Sequence, residues 1–193
     1  MFKSIIFLLF TVVLFQSCVN NYVPSDLIFN RYVLVLVEEG YGSGVILNSS
    51  SVESLHHVVS DSGNIILLYK SNKQFGKRIY KIGDLYLLNA LFCIDDININ
   101  NSIEIGEEIF WIQPIMMKDN QIYLFLNSGR ISHFNKDSFT IDVPVFPGAS
   151  GTGVFNIMGE LIGIIDYYRM FGVQIAYGNA IRVNHVQNLL EKK

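Results

Sequence analysis

The chain has little charge, few prolines and almost no cysteine. Of its 193 residues, 16% are charged, and the formal net charge at pH 7 is −3. Half of the residues are hydrophobic, which excludes a disordered chain, because disorder requires low hydrophobicity and high charge. No cluster of basic residues is present to neutralise a phosphate backbone, so nucleic acid is not an expected partner. Two cysteines are too few for a disulfide scaffold or for a zinc site built from cysteine pairs.

The first seventeen residues have the pattern of a targeting segment. Lys3 supplies one positive charge, and residues 5–15 form an apolar run that only Thr11 interrupts. A run of this length is typical of a signal-peptide core and is too short to span a bilayer stably. We therefore expect residues 1–17 to be a signal peptide and residues 18–29 to be a tether.

The end of this segment, Leu14 to Cys18, resembles the lipobox of bacterial lipoproteins, in which the cysteine becomes the lipidated first residue. Ordinary cleavage after Ser17 and an uncleaved anchor are the alternatives, and bulky Phe15 argues against ordinary cleavage. The favoured hypothesis is an exported protein anchored to a membrane of the cell envelope through Cys18, in the bacterial periplasm or at the cell surface. Cys93 lies in an apolar run and is expected to be a buried small hydrophobic residue.

The remaining chain consists of short runs rich in Val, Ile, Tyr and Phe, separated by turn residues. Many short strands at close spacing predict an all-β sandwich or barrel. A helical period appears only in the tail, over residues 183–191. The predicted strands are Tyr32–Val37, Gly44–Leu47, Ile65–Tyr69, Leu85–Leu88, Glu108–Ile112, Ile122–Leu126, Thr140–Val145, Gly153–Asn156, Leu161–Tyr167 and Val173–Tyr177.

Three segments carry reactive side chains. Ser150 lies in a glycine-rich stretch that allows a sharp turn, and the amides of Gly148 and Ser150 can converge on an oxyanion there. His57 precedes two valines, and a neutral imidazole accepts a proton near neutral pH. Asp84 directly precedes an apolar run, where a buried carboxylate needs a partner such as an imidazole N–H. Taken singly, each residue also fits a plain structural role: a hairpin serine, a structural histidine or a turn aspartate.

In combination, these segments resemble the trypsin-like (chymotrypsin-fold) serine proteases, in particular the protease domain of bacterial HtrA/Do-type enzymes. The resemblance covers most of residues 30–192. Thr152 and Gly153 depart from the family pattern, as do Leu55 and His56 before the histidine. The stretches that carry the resemblance are Gly42–Ile46, Asp84–Leu88, Pro147–Gly151 and Gly159–Ile164.

The resemblance implies an all-β fold of two six-stranded antiparallel barrels with a short C-terminal helix. It places the protease domain at residues 30–193, with the barrels joined near residues 100–115. No PDZ domain is expected after the tail helix.

The resemblance also implies roles for the reactive residues. Ser150 is the nucleophile, His57 is the general base, and Asp84 orients His57. The amides of Gly148 and Ser150 form the oxyanion hole. The substrate pocket is expected to include Val145, Ile165, Asp166 and Ala176. Its apolar members favour medium-sized apolar substrate residues, unless Asp166 points inward and favours a basic one.

Three functions remain open on the sequence. The first is a serine endopeptidase that cleaves a protein or peptide substrate through an acyl-enzyme. The second is a catalytically impaired, protease-fold surface lipoprotein that binds rather than cleaves, an idea prompted by Thr152 and by the crowded Leu55–His56 pair. The third is a structural β-barrel lipoprotein with chance motifs. No cofactor is implied, and no metal is expected, because His56 and His57 form a poor ligand pair.

Overall fold

The computed structural model describes residues 25–38, 40–119, 121–166 and 177–184. Within these ranges the chain forms twelve strands and two short helices. The helices are α1 (Ser25–Arg31) and α2 (His56–Val59). The strands are β1 (Tyr32–Val37), β2 (Gly40–Asn48), β3 (Ser51–Leu55), β4 (Ile65–Tyr69), β5 (Asn72–Ile82), β6 (Leu85–Asn89), β7 (Glu108–Met116), β8 (Ile122–Phe134), β9 (Ser138–Pro144), β10 (Gly153–Asn156), β11 (Leu161–Asp166) and β12 (Tyr177–Arg182).

The strands form two closed barrels with the same order. The first barrel runs β1-β2-β3-β6-β5-β4 and the second runs β7-β8-β9-β12-β11-β10. Antiparallel pairing of β1 with β4 closes the first barrel, and pairing of β7 with β10 closes the second. Closure leaves no unpaired sheet edge. The predicted all-β fold of two six-stranded antiparallel barrels is therefore confirmed. Most of the expected tail helix, and residues 173–176 of a predicted strand, lie outside the described residues.

The hydrophobic core ties the two barrels together. One cluster of buried side chains fills the first barrel and continues into the second through residues such as Phe110, Phe155 and Ile164. A separate cluster that includes Trp111 and Phe139 fills the second barrel. Because the first cluster spans both barrels, side chains carried by one barrel are held at fixed positions relative to the other.

The connection between the barrels runs from residue 90 to residue 107, between β6 and β7. It begins before the region of residues 100–115 in which we expected the barrels to join. The amide of Ile97 donates to the carbonyl of Leu47 at 2.8 Å, and that of Leu161 donates to the carbonyl of Asn98 at 2.8 Å. The connection is thus hydrogen-bonded to a strand of each barrel.

The segment before the first barrel is more ordered than the predicted tether. Residues 25–29 belong to α1, and Ile28 is fully buried in the core. The guanidinium of Arg31, the last residue of this helix, donates to the carbonyls of Asp95 (2.6 Å) and Asp96 (3.2 Å). The tether prediction is therefore wrong for residues 25–29, because one buried isoleucine and one arginine fix them to the domain.

The prediction for Cys93 is also wrong, since this cysteine is exposed. Its neighbour Phe92 turns inward and is buried, which directs Cys93 to the opposite side of the chain. In the part of the chain that the structure describes, no helix is both long and apolar enough to cross a membrane.

A buried carboxyl group lies on β3. Glu53 is fully buried, and neither of its side-chain oxygens has a hydrogen-bond partner among the described residues. It lies opposite Val45 on β2 and Leu87 on β6. Burial raises the pKa of Glu53 to about 8, because an unpaired charge is costly in an apolar interior.

This carboxyl group predicts a pH-dependent stability. The ordinary pKa of a glutamate in the unfolded chain is 4.5. Between pH 4.5 and about pH 8, the folded protein therefore keeps a proton on Glu53 that the unfolded chain loses. The free energy of unfolding therefore falls as pH rises through this window, by up to about 1.4 kcal/mol per pH unit, and levels off above it. We expect Glu53→Gln to remove this decline in urea denaturation series.

Glu108→Gln, at an exposed position on β7, is the control and should keep the wild-type decline. Equal pH slopes in wild type and Glu53→Gln would show that the Glu53 carboxyl group does not control this stability.

Candidate active site

A cleft of about 450 Å³ is lined by both barrels. It contains His57 and Ser150. His57 lies in α2, which follows β3 of the first barrel, and Ser150 lies in the loop between β9 and β10 of the second barrel. Two residues that are 93 positions apart in sequence thus share one cleft. The other lining residues are Val37, Glu38, Gly40, Tyr41, Val58, Ser60, Ser62, Gly63, Asn64, Pro147 and Gly148.

The helix α2 presents His57 to this cleft. Val58 and Val59 are buried, whereas the His57 side chain is 50% exposed. Gly42 on β2 makes this packing possible, because a Cβ there would lie 2.5 Å from Cγ1 of Val58. The histidine is therefore anchored by the two valines that follow it in the sequence.

The loop around Ser150 depends on two glycines. Gly148 has φ +96° and Gly151 has φ +91°, a conformation that favours glycine. A Cβ at Gly148 would lie 2.6 Å from Cε2 of Tyr41, and one at Gly151 would lie 2.0 Å from the carbonyl oxygen of Ser43. Both conformation and space therefore require glycine on either side of the serine.

The loop contains the two amides, of Gly148 and Ser150, that the resemblance predicts as an oxyanion hole. Within the described residues, no protein acceptor pairs with the N–H of Gly148. The amide of Thr152 donates to the carbonyl of Ala149 at 2.9 Å and closes a turn around Ser150. Thr152, one of the departures from the family pattern, is buried and contributes this backbone bond.

Ser43 on β2 joins the first barrel to this loop. Its amide donates to the carbonyl of Ser150 at 2.9 Å, and its hydroxyl donates to the carbonyl of Gly148 at 2.7 Å. The Ser54 hydroxyl in turn donates to the carbonyl of Ser43 at 2.7 Å. Sequence analysis identified the Gly42–Ile46 stretch but missed this role of Ser43, although a serine between two glycines in a strand is an available signal.

Gln113 fixes the segment that leads into the loop. This side chain is buried on β7; its amide donates to the carbonyl of Phe146 at 3.2 Å and its oxygen accepts from the Phe146 amide at 3.2 Å. Gln113 was also missed, and a lone amide directly after the apolar run Ile109–Ile112 is the signal that could have identified it.

One carboxylate approaches His57. Oδ1 of Asp166, at the end of β11, lies 4.0 Å from Nδ1 of His57. Among the described residues, no ion pair within 4.0 Å joins His57 to Asp84. Asp84 lies in the turn between β5 and β6, and its carbonyl accepts the amide of His56 at 2.7 Å.

The charge of Asp84 nevertheless acts on the carboxylate of Asp166. Burial raises the pKa of Asp166, the nearby charge of Asp84 raises it further, and His57 opposes both effects by lowering it. The structure therefore places His57 and the charge of Asp84 close enough to Asp166 to act on its carboxylate. The role of Asp84 as the acid that orients His57 stays a prediction.

The predicted substrate pocket is only partly described. Val145 and Ile165 are buried and pack in the core of the second barrel. The Asp166 carboxylate lies beside His57, and Ala176 lies outside the described residues. In the described part of the chain, no group of three or more His, Cys, Asp or Glu side chains is placed to hold a metal ion.

The two unusual residues before His57 are accommodated without entering the cleft. Leu55 is fully buried. Nδ1 of His56 lies 3.9 Å from Oδ1 of Asp61, and its ring packs against that of Tyr86 with centroids 5.7 Å apart. The Tyr86 hydroxyl donates to the Asp61 carboxylate, which holds the pKa of Asp61 below its usual range.

Comparison with known proteins agrees with this fold. The structure of a serine endoprotease from Yersinia pestis superposes with a TM-score of 0.76 at 22% identity, over 90% of this chain and 66% of that one. The HtrA-type protease AlgW with a tripeptide gives a TM-score of 0.74 at 18% identity, over 89% of this chain and 62% of that one. The chain has the fold of an HtrA-type, trypsin-like protease domain.

A sequence relative supports the same resemblance. A protein described as serine protease HtrA-like, from Staphylococcus aureus, is 27% identical over 80% of this chain. The chain spans only 23% of the length of that relative. No family model matches the chain.

The loop geometry predicts a large effect of Gly151→Ala. Its new Cβ would collide with the backbone of Ser43 in addition to straining φ, so we expect the variant to lose several kcal/mol of stability or to fail to fold. Gly106→Ala is the matched control, because Gly106 has a similar φ of +86° but open space around it. The control should lose only about 1–3 kcal/mol, from backbone strain alone. Thermal and urea unfolding of both variants would test this, and equal losses would contradict the proposed contact with Ser43.

Proposed function

We propose that this protein is a serine endopeptidase that hydrolyses peptide bonds through an acyl-enzyme on Ser150. The observation that carries the proposal is that His57 and Ser150 line one cleft, with Ser150 in a loop shaped by Gly148 and Gly151. The HtrA-like relative and the structural neighbours support the same activity.

In the proposed mechanism, the Ser150 hydroxyl attacks the carbonyl carbon of the scissile peptide bond while His57 takes its proton. The amides of Gly148 and Ser150 donate to the oxyanion of the tetrahedral intermediate. His57 then gives the proton to the leaving amine as the C–N bond breaks. Water, activated by the same imidazole, hydrolyses the ester and restores Ser150. Asp84 orients the ring and stabilises its charged form.

A protein or peptide is the proposed substrate. The bound tripeptide of the AlgW structure is consistent with this class of ligand. The proposed preference for medium-sized apolar residues before the scissile bond rests on the family resemblance, since Val145 and Ile165 are buried in the core of the second barrel. Peptides with such residues are therefore the first choice for an assay.

The Ser150 assignment predicts selective reaction with a fluorophosphonate probe. Wild-type protein should be labelled, and Ser150→Ala should lose at least about 100-fold in labelling rate, because the probe reacts with an activated serine. Ser132→Ala is the control: Ser132 is an exposed residue of β8 whose hydroxyl donates to Thr140, and its loss should leave labelling unchanged. Absence of labelling in folded wild-type protein would favour the alternative, a protease-fold surface lipoprotein that binds without cleaving.

We also propose that the protein is exported and anchored by lipid at Cys18, in the cell envelope. The support is the apolar run of residues 5–15 and the lipobox-like sequence that ends at Cys18. A lipid chain supplies about 0.8 kcal/mol of membrane affinity per buried methylene, so lipidation would hold the domain at a membrane surface.

Lipidation predicts that the full chain, expressed in bacteria supplied with an alkyne-bearing fatty acid, incorporates the label. Cys18→Ser should abolish incorporation, because the acceptor thiol is gone. Cys93→Ser, which removes the other cysteine of the chain, should retain it. Unlabelled wild-type protein would reject the lipoprotein hypothesis, and soluble mature protein would then indicate ordinary signal cleavage.

A further inference from the structure

The carboxylate of Asp166 lies where an orienting acid acts on a histidine. Oδ1 of Asp166 is 4.0 Å from Nδ1 of His57, and the Asp166 side chain is 22% exposed. An acid at Nδ1 fixes the tautomer of the ring and leaves Nε2 to exchange a proton with a nucleophile. The sequence predicted Asp166 as a residue of the substrate pocket. It gave no indication that Asp166 lies beside His57.

Backbone hydrogen bonds join the strand end at Asp166 to the loop between β9 and β10 that carries Ser150, here called the nucleophile loop. Its neighbour Ile165 donates to the carbonyl of Thr152 at 2.9 Å and accepts the amide of Gly151 at 2.8 Å. Asp166 itself is in register with Asn179 on β12. The carboxylate therefore sits on a strand end whose position relative to Ser150 is set by two hydrogen bonds.

The surroundings of Asp166 contain a second acid. The titratable groups that act on it are His57 on α2 and Asp84 in the β5–β6 turn. Burial and the Asp84 charge raise the pKa of Asp166, and His57 lowers it. Asp61 and Lys81 pair with each other beside His56, at 3.5 Å. Asp166 therefore lies between an imidazole that favours its ionised form and a carboxylate, that of Asp84, which disfavours it.

We propose that Asp166 is a positioning residue for His57, sharing with Asp84 the orientation of the ring and the stabilisation of its charged form. This inference rests on the proposed peptidase function for its kinetic consequences. The His57–Asp166 pairing itself does not depend on turnover. Because two acids serve one ring, the loss of either is partly compensated by the other.

The kinetic test compares Asp166→Asn, Asp84→Asn and the double variant. Asparagine keeps the size of the side chain and removes its charge. We expect Asp166→Asn to lower kcat at least about tenfold with KM changed less than about twofold, and to move the acid limb of the pH–rate profile to lower pH. The double variant should lose more than the product of the two single losses. Asp119→Asn, in the exposed turn before β8, is the control and should match wild type.

Some kinetic outcomes overturn the proposal. If Asp166→Asn raises KM only for peptides with Arg or Lys before the scissile bond, Asp166 is a substrate-pocket residue. If kcat and the acid limb match wild type, Asp166 has no effect on His57. Circular dichroism melts of each variant ensure that a loss of folding is not taken for either result.

A second measurement separates this inference from the peptidase proposal. The ring nitrogen resonances of His57 are recorded by NMR at one pH in Ser150→Ala, with and without Asp166→Asn. Replacing the Asp166 carboxylate should shift the Nδ1 resonance more than the Nε2 resonance, because Oδ1 of Asp166 lies 4.0 Å from Nδ1. Equal or absent shifts of the two nitrogens overturn the pairing. A selective Nδ1 shift, together with folded wild-type protein that no fluorophosphonate labels, would support the pairing while rejecting the peptidase.

Discussion

The cleft depends on a contact between the barrels in which Ser43 on β2 binds the loop that carries Ser150. The first barrel carries His57 and the second carries Ser150, so neither barrel alone assembles the site. Two hydrogen bonds from Ser43, to the carbonyls of Ser150 and Gly148, set the separation between them. Each bond is worth only about 1 kcal/mol of net stability, so their main contribution is geometric. The absence of a side chain at Gly151 lets the two backbones approach this closely.

Two buried acids, Glu53 and Asp166, ionise differently because their surroundings differ. Glu53 is enclosed without a hydrogen-bond partner among the described residues, and its pKa of about 8 keeps it mostly neutral near pH 7. Asp166 is also largely buried, but His57 lies beside it and opposes the effect of burial. A neutral acid in a core avoids the larger cost of a buried unpaired charge, whereas an acid beside an imidazole influences the charge of the ring. The imidazole partner, rather than burial alone, is what makes Asp166 relevant to the site.

Much of the fold could be predicted because most strands are apolar. β1, β4 and β10 have the bounds that the sequence predicted. β3 was missed because its sequence, Ser-Val-Glu-Ser-Leu, contains three polar residues, yet every residue is buried. The Ser54 hydroxyl is satisfied by a tertiary contact with the Ser43 carbonyl, and burial keeps Glu53 largely neutral near pH 7; sequence periodicity reveals neither. β5 was missed for the opposite reason, because its many charged side chains are solvent-facing and conceal a strand that pairs on both sides.

The local motifs identified His57, Asp84 and Ser150, but motifs alone could not establish which acid lies at Nδ1 of the ring. That choice depends on the phase of β11, since a shift of one residue would turn Asp166 to the other face of the sheet. A half-buried strand would show its phase by alternation, but Leu161 to Ile165 are all buried and the run is apolar on both faces. The phase is set instead by the hydrogen bonds of Ile165 with Gly151 and Thr152, in the loop that carries Ser150, which form when the second barrel closes. The acid at the imidazole is thus determined by barrel closure, which the sequence of β11 does not encode locally.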